Sequence, residues 1–269
     1  MSAYGKVRSV NKPRGILPPR LYPVLGPNVS DSKAAILTVA VDFAAGDAID
    51  ERLSQILRND FNEELEAGQT YPQEEILDEA GYAAYFQSHD VILGFHLSKE
   101  QSMELYSPSI IPEDNIPPET GISLPRNTFT NITFSHIKVP DDHDFVVELE
   151  PTAYAFAYYI KPNYPGRSSH LCNAGFIVPP SLRGQGLGQI AARSFCFYGP
   201  ASGYRGSVFN LVYVNNEASV KLWERLGFWN VGRIPEAGRL RKADGSGEEF
   251  VDAWVVYGDF RIVGVRDFM

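Results

Sequence analysis

Residues 183–188 read Arg-Gly-Gln-Gly-Leu-Gly, followed by Gln189 and a helix-like run. Glycines at 184, 186 and 188 let backbone N–H groups converge on an anion, and the N-terminus of a following helix adds favourable potential there. A nucleotide P-loop needs Gly-Lys-Ser/Thr after its second glycine, and that is missing. A dinucleotide fingerprint needs a third glycine where Gln189 stands, and an acid closing a strand about twenty residues on; neither is present. What remains is an Arg-x-x-Gly-x-Gly loop feeding a helix, with a bare glycine turn as the alternative.

Three asparagines lie on the elements around this loop. Asn210 interrupts the apolar run Val208, Phe209, Leu211, Val212, and a buried amide there must find partners. Asn173 begins the apolar stretch that leads to the loop, and Asn216 opens the next helical segment. Each has a plain structural alternative: an N-cap for Asn216 and a strand-end turn for Asn173. No side-chain base stands out. His170 reads as an exposed loop residue, Glu217 as an acid placed to suit a helix N-terminus, and Arg167 and Lys161 as solvated surface charges, with attraction of a substrate carboxylate or a cofactor phosphate as the alternative.

The elements that must position these residues follow from periodicity. Residues 35–43, 91–97 and 153–160 are apolar and β-rich enough for strands, and 50–67 carries Leu53, Ile56, Leu57, Phe61 and Leu65 at helical spacing before Gly68. A second helix is expected over 73–87. In the C-terminal half, a strand at 173–178 precedes the glycine loop, and Leu187, Ile190, Ala191, Ser194 and Phe195 share one helical face. A strand at 207–214, a helix at 217–227 and strands near 228–234 and 250–257 complete an α/β order. Residues 98–150, rich in Pro, Ser, Asn and Asp, read as an irregular insertion with short β-like pieces at 128–138 and 145–149.

The 269 residues suffice for one domain over 32–269 with that insertion, preceded by a flexible basic arm over 1–31. Lys6, Arg8, Lys12, Arg14 and Arg20 precede any acid, as in a mitochondrial transit peptide, but five prolines in that stretch forbid a continuous amphipathic helix. A cytoplasmic protein is expected, with the mitochondrion kept open by the arm. A net charge of −9 and a pI near 5.1 disfavour nucleic acid as a partner, and no apolar run is long enough to span a membrane. Two cysteines and five scattered histidines make neither a disulfide framework nor a metal site.

The Arg-x-x-Gly-x-Gly loop resembles the acyl-CoA pyrophosphate loop of the GNAT acetyltransferase superfamily, and residues 215–228, Asn-Asn-Glu-Ala-Ser-Val-Lys-Leu-Trp-Glu-Arg-Leu-Gly-Phe, resemble that superfamily's next helix. More narrowly, 66–73, 158–176, 203–219 and 234–240 resemble the fungal proline-analogue acetyltransferases, which acetylate azetidine-2-carboxylate and related cyclic imino acids. The resemblance covers roughly 50–95 and 153–258. It implies an α/β (α+β) GNAT fold: a strongly twisted mixed central sheet flanked by helices, with two splayed central strands holding acetyl-CoA.

The same resemblance implies site residues. Phe176, Ile177 and Val178 would line the pantetheine, and Arg183, Gly184, Gln185, Gly186, Leu187, Gly188 and Gln189 the pyrophosphate. Asn173, Asn210 and the backbone of Leu211 would position a small-molecule amine, with Asn173 and Asn216 acting at the reacting centre and Asn216 and Trp223 also on the cofactor side. Trp223 stands where many members carry a tyrosine that protonates the departing sulfur, a task an indole cannot perform; by its spacing it also reads as core. A water held by asparagine amides and backbone carbonyls is expected to take the amine's proton. A homodimer is implied, and no metal. The alternatives are a polyamine or lysine-side-chain acetyltransferase, and a catalytically silent acyl-CoA binder.

Overall fold

The structure, a computed structural model, describes residues 17–24, 35–98, 100–102, 121–123, 131–132, 137–138, 146–147 and 153–263. Strand β1 (Arg20–Pro23) leads to β2 (Ala35–Asp42), nearly all of it buried. Helix α1 (Glu51–Ala67) starts where the Asp50 carboxylate accepts from the N–H groups of Arg52 and Leu53, and it stops at Gly68 in the left-handed region (φ 65°). Its stripe of Leu53, Leu57, Phe61 and Leu65 is buried. Helix α2 (Glu79–Phe86) and strand β3 (Asp90–His96) follow. Strands β4 (Ile122–Ser123), β5 (Asn131–Ile132), β6 (Ile137–Lys138) and β7 (Val146–Val147) are short. Strands β8 (Tyr154–Pro162) and β9 (Leu171–Ile177), helix α3 (Leu187–Ala201), strand β10 (Gly206–Tyr213), helix α4 (Glu217–Arg225) and the hairpin of β11 (Trp229–Arg241) and β12 (Glu248–Asp259) complete the order.

Nine strands form one mixed sheet in the order β11-β12-β10-β9-β8-β3-β2-β1-β4. Its one parallel pairing is β9 with β10. Helices α1 and α2 cover one face, where Phe61, Tyr82 and Phe86 pack on Val39, Leu93 and Tyr159. Helices α3 and α4 cover the other, where Ile190, Phe195 and Trp223 pack on Tyr158, Ile160 and Phe209. Burial on both faces explains why the central strands read as continuous apolar runs rather than alternating ones.

The elements depart from the sequence reading at four places. Residues 20–23 are not a free arm: they form β1, antiparallel to β2, with Leu21 and Tyr22 buried. Arg20 lies over the Phe197 ring (3.8 Å to its centroid) and donates to the Gly121 carbonyl, so a side chain read as arm charge sits in the core layer. The remainder of 1–31 lies outside the described residues. The helix expected over 73–87 begins only at Glu79, because the Asn62 amide holds Leu77 by a donor and an acceptor (both 2.9 Å) and Asp78 caps through the Gly81 N–H (2.7 Å). Within 98–150, β4 joins the edge of the main sheet and β5–β7 form a separate small sheet; most of that stretch also lies outside the described residues. Finally, β11 runs on through 234–241 rather than ending near 234.

One carboxyl is held at a cost. Asp60 on α1 has Oδ2 buried with no hydrogen-bond partner among the described residues. Burial, reinforced by Glu63 and Glu64 and opposed by Arg183, pushes this carboxyl up to about 6. The fold therefore disfavours the ionised form, so stability is higher below the unfolded carboxylate range of about 4 and falls as pH rises to about 6. Asp60→Asn is expected to raise the midpoint of thermal unfolding at pH 8 relative to wild type by more than it does at pH 4. A difference independent of pH would contradict this placement.

Candidate active site

The two parallel strands separate almost as soon as they meet. Strand β9 pairs with β10 at Leu171↔Gly206 and Cys172↔Ser207 and nowhere beyond. Yet β9 stays on β8 as far as Ile177↔Ala157, and β10 stays on β12 as far as Tyr213↔Ala253. The ladder is thus open between 173–177 and 208–213. An aromatic wedge fills the α3/α4 side of the gap. Trp223 lies 5.2 Å from Phe176 of β9 and 4.5 Å from Phe209 of β10, centroid to centroid, and Phe195 lies 5.6 and 5.7 Å from the same two rings. At the closed end, a Cβ on Gly206 would come within 2.7 Å of the Gly258 carbonyl, so the strands there need glycine to pack. A bulge in β10 between Phe209 and Val212 turns Asn210 and Leu211 out of register with β12.

Strand β9 delivers the chain to the glycine loop at the open end. Gly184 (φ 77°) and Gly186 (φ 80°) hold left-handed conformations, which is why glycine is needed there, and α3 starts at Leu187. Among the described residues, the N–H groups of Gly184, Gln185, Gly186, Leu187 and Gly188 donate to no protein group. Residues 183–186 are exposed, and nothing stands within 4 Å of a Cβ built on Gly184 or Gly188. A cradle of free N–H donors, open above and backed by a helix N-terminus, fits a pyrophosphate. Arg183 departs from the expectation. Its guanidinium is engaged by Glu64 of α1, and its Nε donates to the Val178 carbonyl (3.2 Å), so it braces the loop against α1 rather than standing free for a phosphate.

All three asparagines flank the opening. Asn173 uses its side-chain oxygen to accept from the Ala174 N–H (2.9 Å), and Asn216 caps α4 by accepting from the Ser219 N–H (3.2 Å). The cap reading of Asn216 therefore holds. In both residues the oxygen is occupied, which leaves the side-chain N–H donors for a ligand. Asn210 finds the partner its position demanded in Asn163: each amide donates to the other's oxygen, at 2.6 and 3.0 Å.

Comparison with known proteins agrees with this geometry. Residues 110–228 match the Acetyltransferase (GNAT) family. The GCN5-related N-acetyltransferase of Kribbella flavida superposes with a TM-score of 0.52 at 18% identity, over 82% of this chain and 97% of that one. YncA of Salmonella typhimurium, solved with its cofactor acetyl-CoA, superposes with a TM-score of 0.52 at 11% identity, over 84% of this chain and 96% of that one. The chain has the GNAT fold. Among curated relatives, N-acetyltransferase aca1 of Schizosaccharomyces pombe is 50% identical over 99 residues, 37% of this chain and 46% of that protein. Protein SPT10 of Saccharomyces cerevisiae is 26% identical over 198 residues, 71% of this chain and 29% of that protein. The chain thus spans less than half the length of either.

Within the GNAT fold, the face under α1 and α2 carries polar groups, of which sequence reading passed over Glu64. The Tyr71 hydroxyl donates to the Phe176 carbonyl of β9 (3.2 Å), which places the 66–73 segment beside that strand. Glu64, buried on α1, gathers both Arg183 and the Thr70 hydroxyl (2.8 Å). Lys161 is not a solvated surface charge: its Nζ lies 4.1 Å from the ring centroids of both Tyr85 and Tyr159. The apolar helix stripe gave no warning of Glu64, whereas the polar interruption at Asn210 called for hydrogen-bond partners without naming Asn163.

Trp223 is 5% exposed within its ring cluster, where it forms the wedge behind β9 and β10, as its spacing in the sequence suggested for a core residue. His170 is exposed beside the paired end of these strands, with Nδ1 3.1 Å from the Arg167 carbonyl. A cavity of about 200 Å³ bounded by His170, Arg205, Tyr257, Asp259 and Arg261 lies at that same closed end, away from the opening. No group of His, Cys, Asp or Glu among the described residues is placed to hold a metal, and no described helix is long and apolar enough to cross a membrane.

The reciprocal amide pair makes Asn163 and Asn210 one energetic unit. Asn163→Ala and Asn210→Ala are each expected to cost about 1–3 kcal/mol in urea unfolding, because each strands a partly buried amide, and the double variant is expected to cost clearly less than their sum. Strict additivity would show that the pair is not coupled.

Proposed function

We propose that this chain is an acetyl-CoA-dependent N-acetyltransferase acting on the amine of a small amino or imino acid, with proline analogues such as azetidine-2-carboxylate and cis-4-hydroxyproline as the acceptor class. The observation that carries the reading is the open ladder between β9 and β10 leading to a loop of unbound N–H groups at 184–188. A pantetheine arm, with its two amides, suits strand edges that have lost their partner, and a pyrophosphate suits the loop. Acetyl-CoA supplies the activated acetyl thioester.

The chain's own residues then divide the work. Residues Phe176, Ile177 and Val178 line the β9 edge of the opening, and the 184–189 segment holds the phosphates, steadied by the brace of Arg183 on Glu64. The Asn216 amide N–H groups donate toward the reacting carbonyl oxygen, where negative charge develops. Asn173, Asn210 and the Leu211 backbone donate to the acceptor and fix its amine toward the opening. N–H donors at Asn173 and the Leu211 backbone suit an acceptor bearing a carboxylate better than a polyamine. The name of the S. pombe relative, N-acetyltransferase aca1, supports the reaction class.

Pairing of two copies belongs to the same reading, and Trp229, Val231, Ile234 and Phe250, exposed on the β11–β12 hairpin, support it. A cytoplasmic location and the absence of nucleic-acid partners stay part of this proposal.

The deciding experiment follows release of free CoA thiol from acetyl-CoA with azetidine-2-carboxylate, cis-4-hydroxyproline, spermidine and a lysine peptide as parallel acceptors. Turnover confined to the cyclic imino acids is expected. Turnover confined to spermidine or the peptide would keep the reaction and discard the acceptor class, and acetyl-CoA binding without turnover would identify a silent binder.

A further inference from the structure

Strand register places Lys161 of β8 directly opposite Asn173 of β9, and Tyr159 opposite Gly175. Residues two apart on a strand, and their cross-strand partners, share one face of the sheet. Here it is the face under α2, since the Tyr159 ring meets Tyr85 and Phe86 edge-on at 5.7 and 5.2 Å. The Lys161 ammonium therefore sits on the acceptor side, next to the asparagine at the apex where β9 and β10 part.

Its surroundings are built rather than incidental. Nζ lies 4.1 Å from each of the Tyr85 and Tyr159 ring centroids and donates to the Tyr85 carbonyl (3.4 Å). The two tyrosine hydroxyls hydrogen-bond to each other (3.2 Å), which fixes the rings. Gly175 makes room for this arrangement: a Cβ there would come within 2.5 Å of the Tyr159 ring. Among the described residues no carboxylate pairs with Lys161. Burial brings its ammonium down to about 8, as expected of a half-buried cation with only ring faces and one carbonyl in place of water. A desolvated cation without an anion is costly, and an incoming anion would relieve that cost.

We infer that Lys161, caged by Tyr85 and Tyr159 beside Asn173, is the charge partner of the acceptor's carboxylate and so the residue that selects amino and imino acids over uncharged or cationic amines. The inference rests on the acceptor class proposed above and supplies what that reading lacks. Asparagine amides and a backbone N–H can orient a carboxylate but cannot neutralise it, and Lys161 contributes the missing positive charge. The same ammonium repels a polyamine.

The test compares azetidine-2-carboxylate with its carboxamide in wild type, Lys161→Met and Lys161→Arg. Wild type is expected to prefer the acid. Lys161→Met is expected to lower that preference by about 10- to 100-fold, mainly through the acceptor KM, the span that corresponds to loss of a charged hydrogen bond. Lys161→Arg should recover part of it. Because the methionine removes a half-desolvated charge while filling the same space, thermal unfolding at or above the wild-type midpoint is expected and verifies that the variant folds. If wild type turns over the acid and the methionine variant discriminates equally well, the Lys161 assignment falls while the acetyltransferase reading stands. No wild-type turnover of either acceptor overturns the reading itself and the assignment with it.

Discussion

The parting of β9 from β10 is the constraint on which the rest of the structure depends. A sheet interior is normally the place where every backbone N–H and C=O is paired, and here the central pair of strands gives up its ladder after two positions. The separation is held by packing. Trp223 and Phe195, from the two helices on one face, press between Phe176 and Phe209, while β8 and β12 keep each strand pinned on its outer side. Removing the wedge would let the strands close. With it in place, the protein presents two strand edges side by side, and the glycine loop lies at the end of one of them.

The two faces of the sheet contribute differently around that opening. The α3/α4 side is apolar and rigid, a cluster of stacked and edge-on rings. The α1/α2 side is aromatic but carries hydroxyls, amides and one ammonium. Ties from distant segments surround it: Arg241 reaches back from β11 to the Glu66 carbonyl (2.8 Å), and Arg239 to Glu74 (2.8 Å). Exposed polar ties of this kind add little to global stability, and their consequence is positional: they hold 66–74, and with it Tyr71, beside β9.

Much of this was legible in the chain because local rules acted alone. Asp50 and Gly68 mark the ends of α1, the buried face of α3 runs through Leu187, Ile190, Ala191, Ser194 and Phe195, and the left-handed glycines at 184 and 186 announce the loop. Where tertiary contacts decide, the chain was silent. Asn62 captures Leu77 and delays α2, and Arg20 finds a ring to cover it and becomes part of a strand. The chain alone left Lys161 between a surface charge and an attractor of a carboxylate, because its two ring partners lie on α2 and two residues earlier on its own strand. The pairing of Arg183 with Glu64 was hidden for the same reason: the partners are 119 positions apart and meet only once the loop folds against α1.

On the proposed reading, the opened strand edge and the glycine loop together form one binding surface for acetyl-CoA. Backbone hydrogen exchange with and without millimolar acetyl-CoA tests it most directly. Slowed exchange is expected at residues 173–177 and 184–190 together, while the fully laddered β2 and β3 exchange at the same rate in both conditions. Slowing at neither segment, or protection only at the closed end around His170 and Arg205, would contradict it.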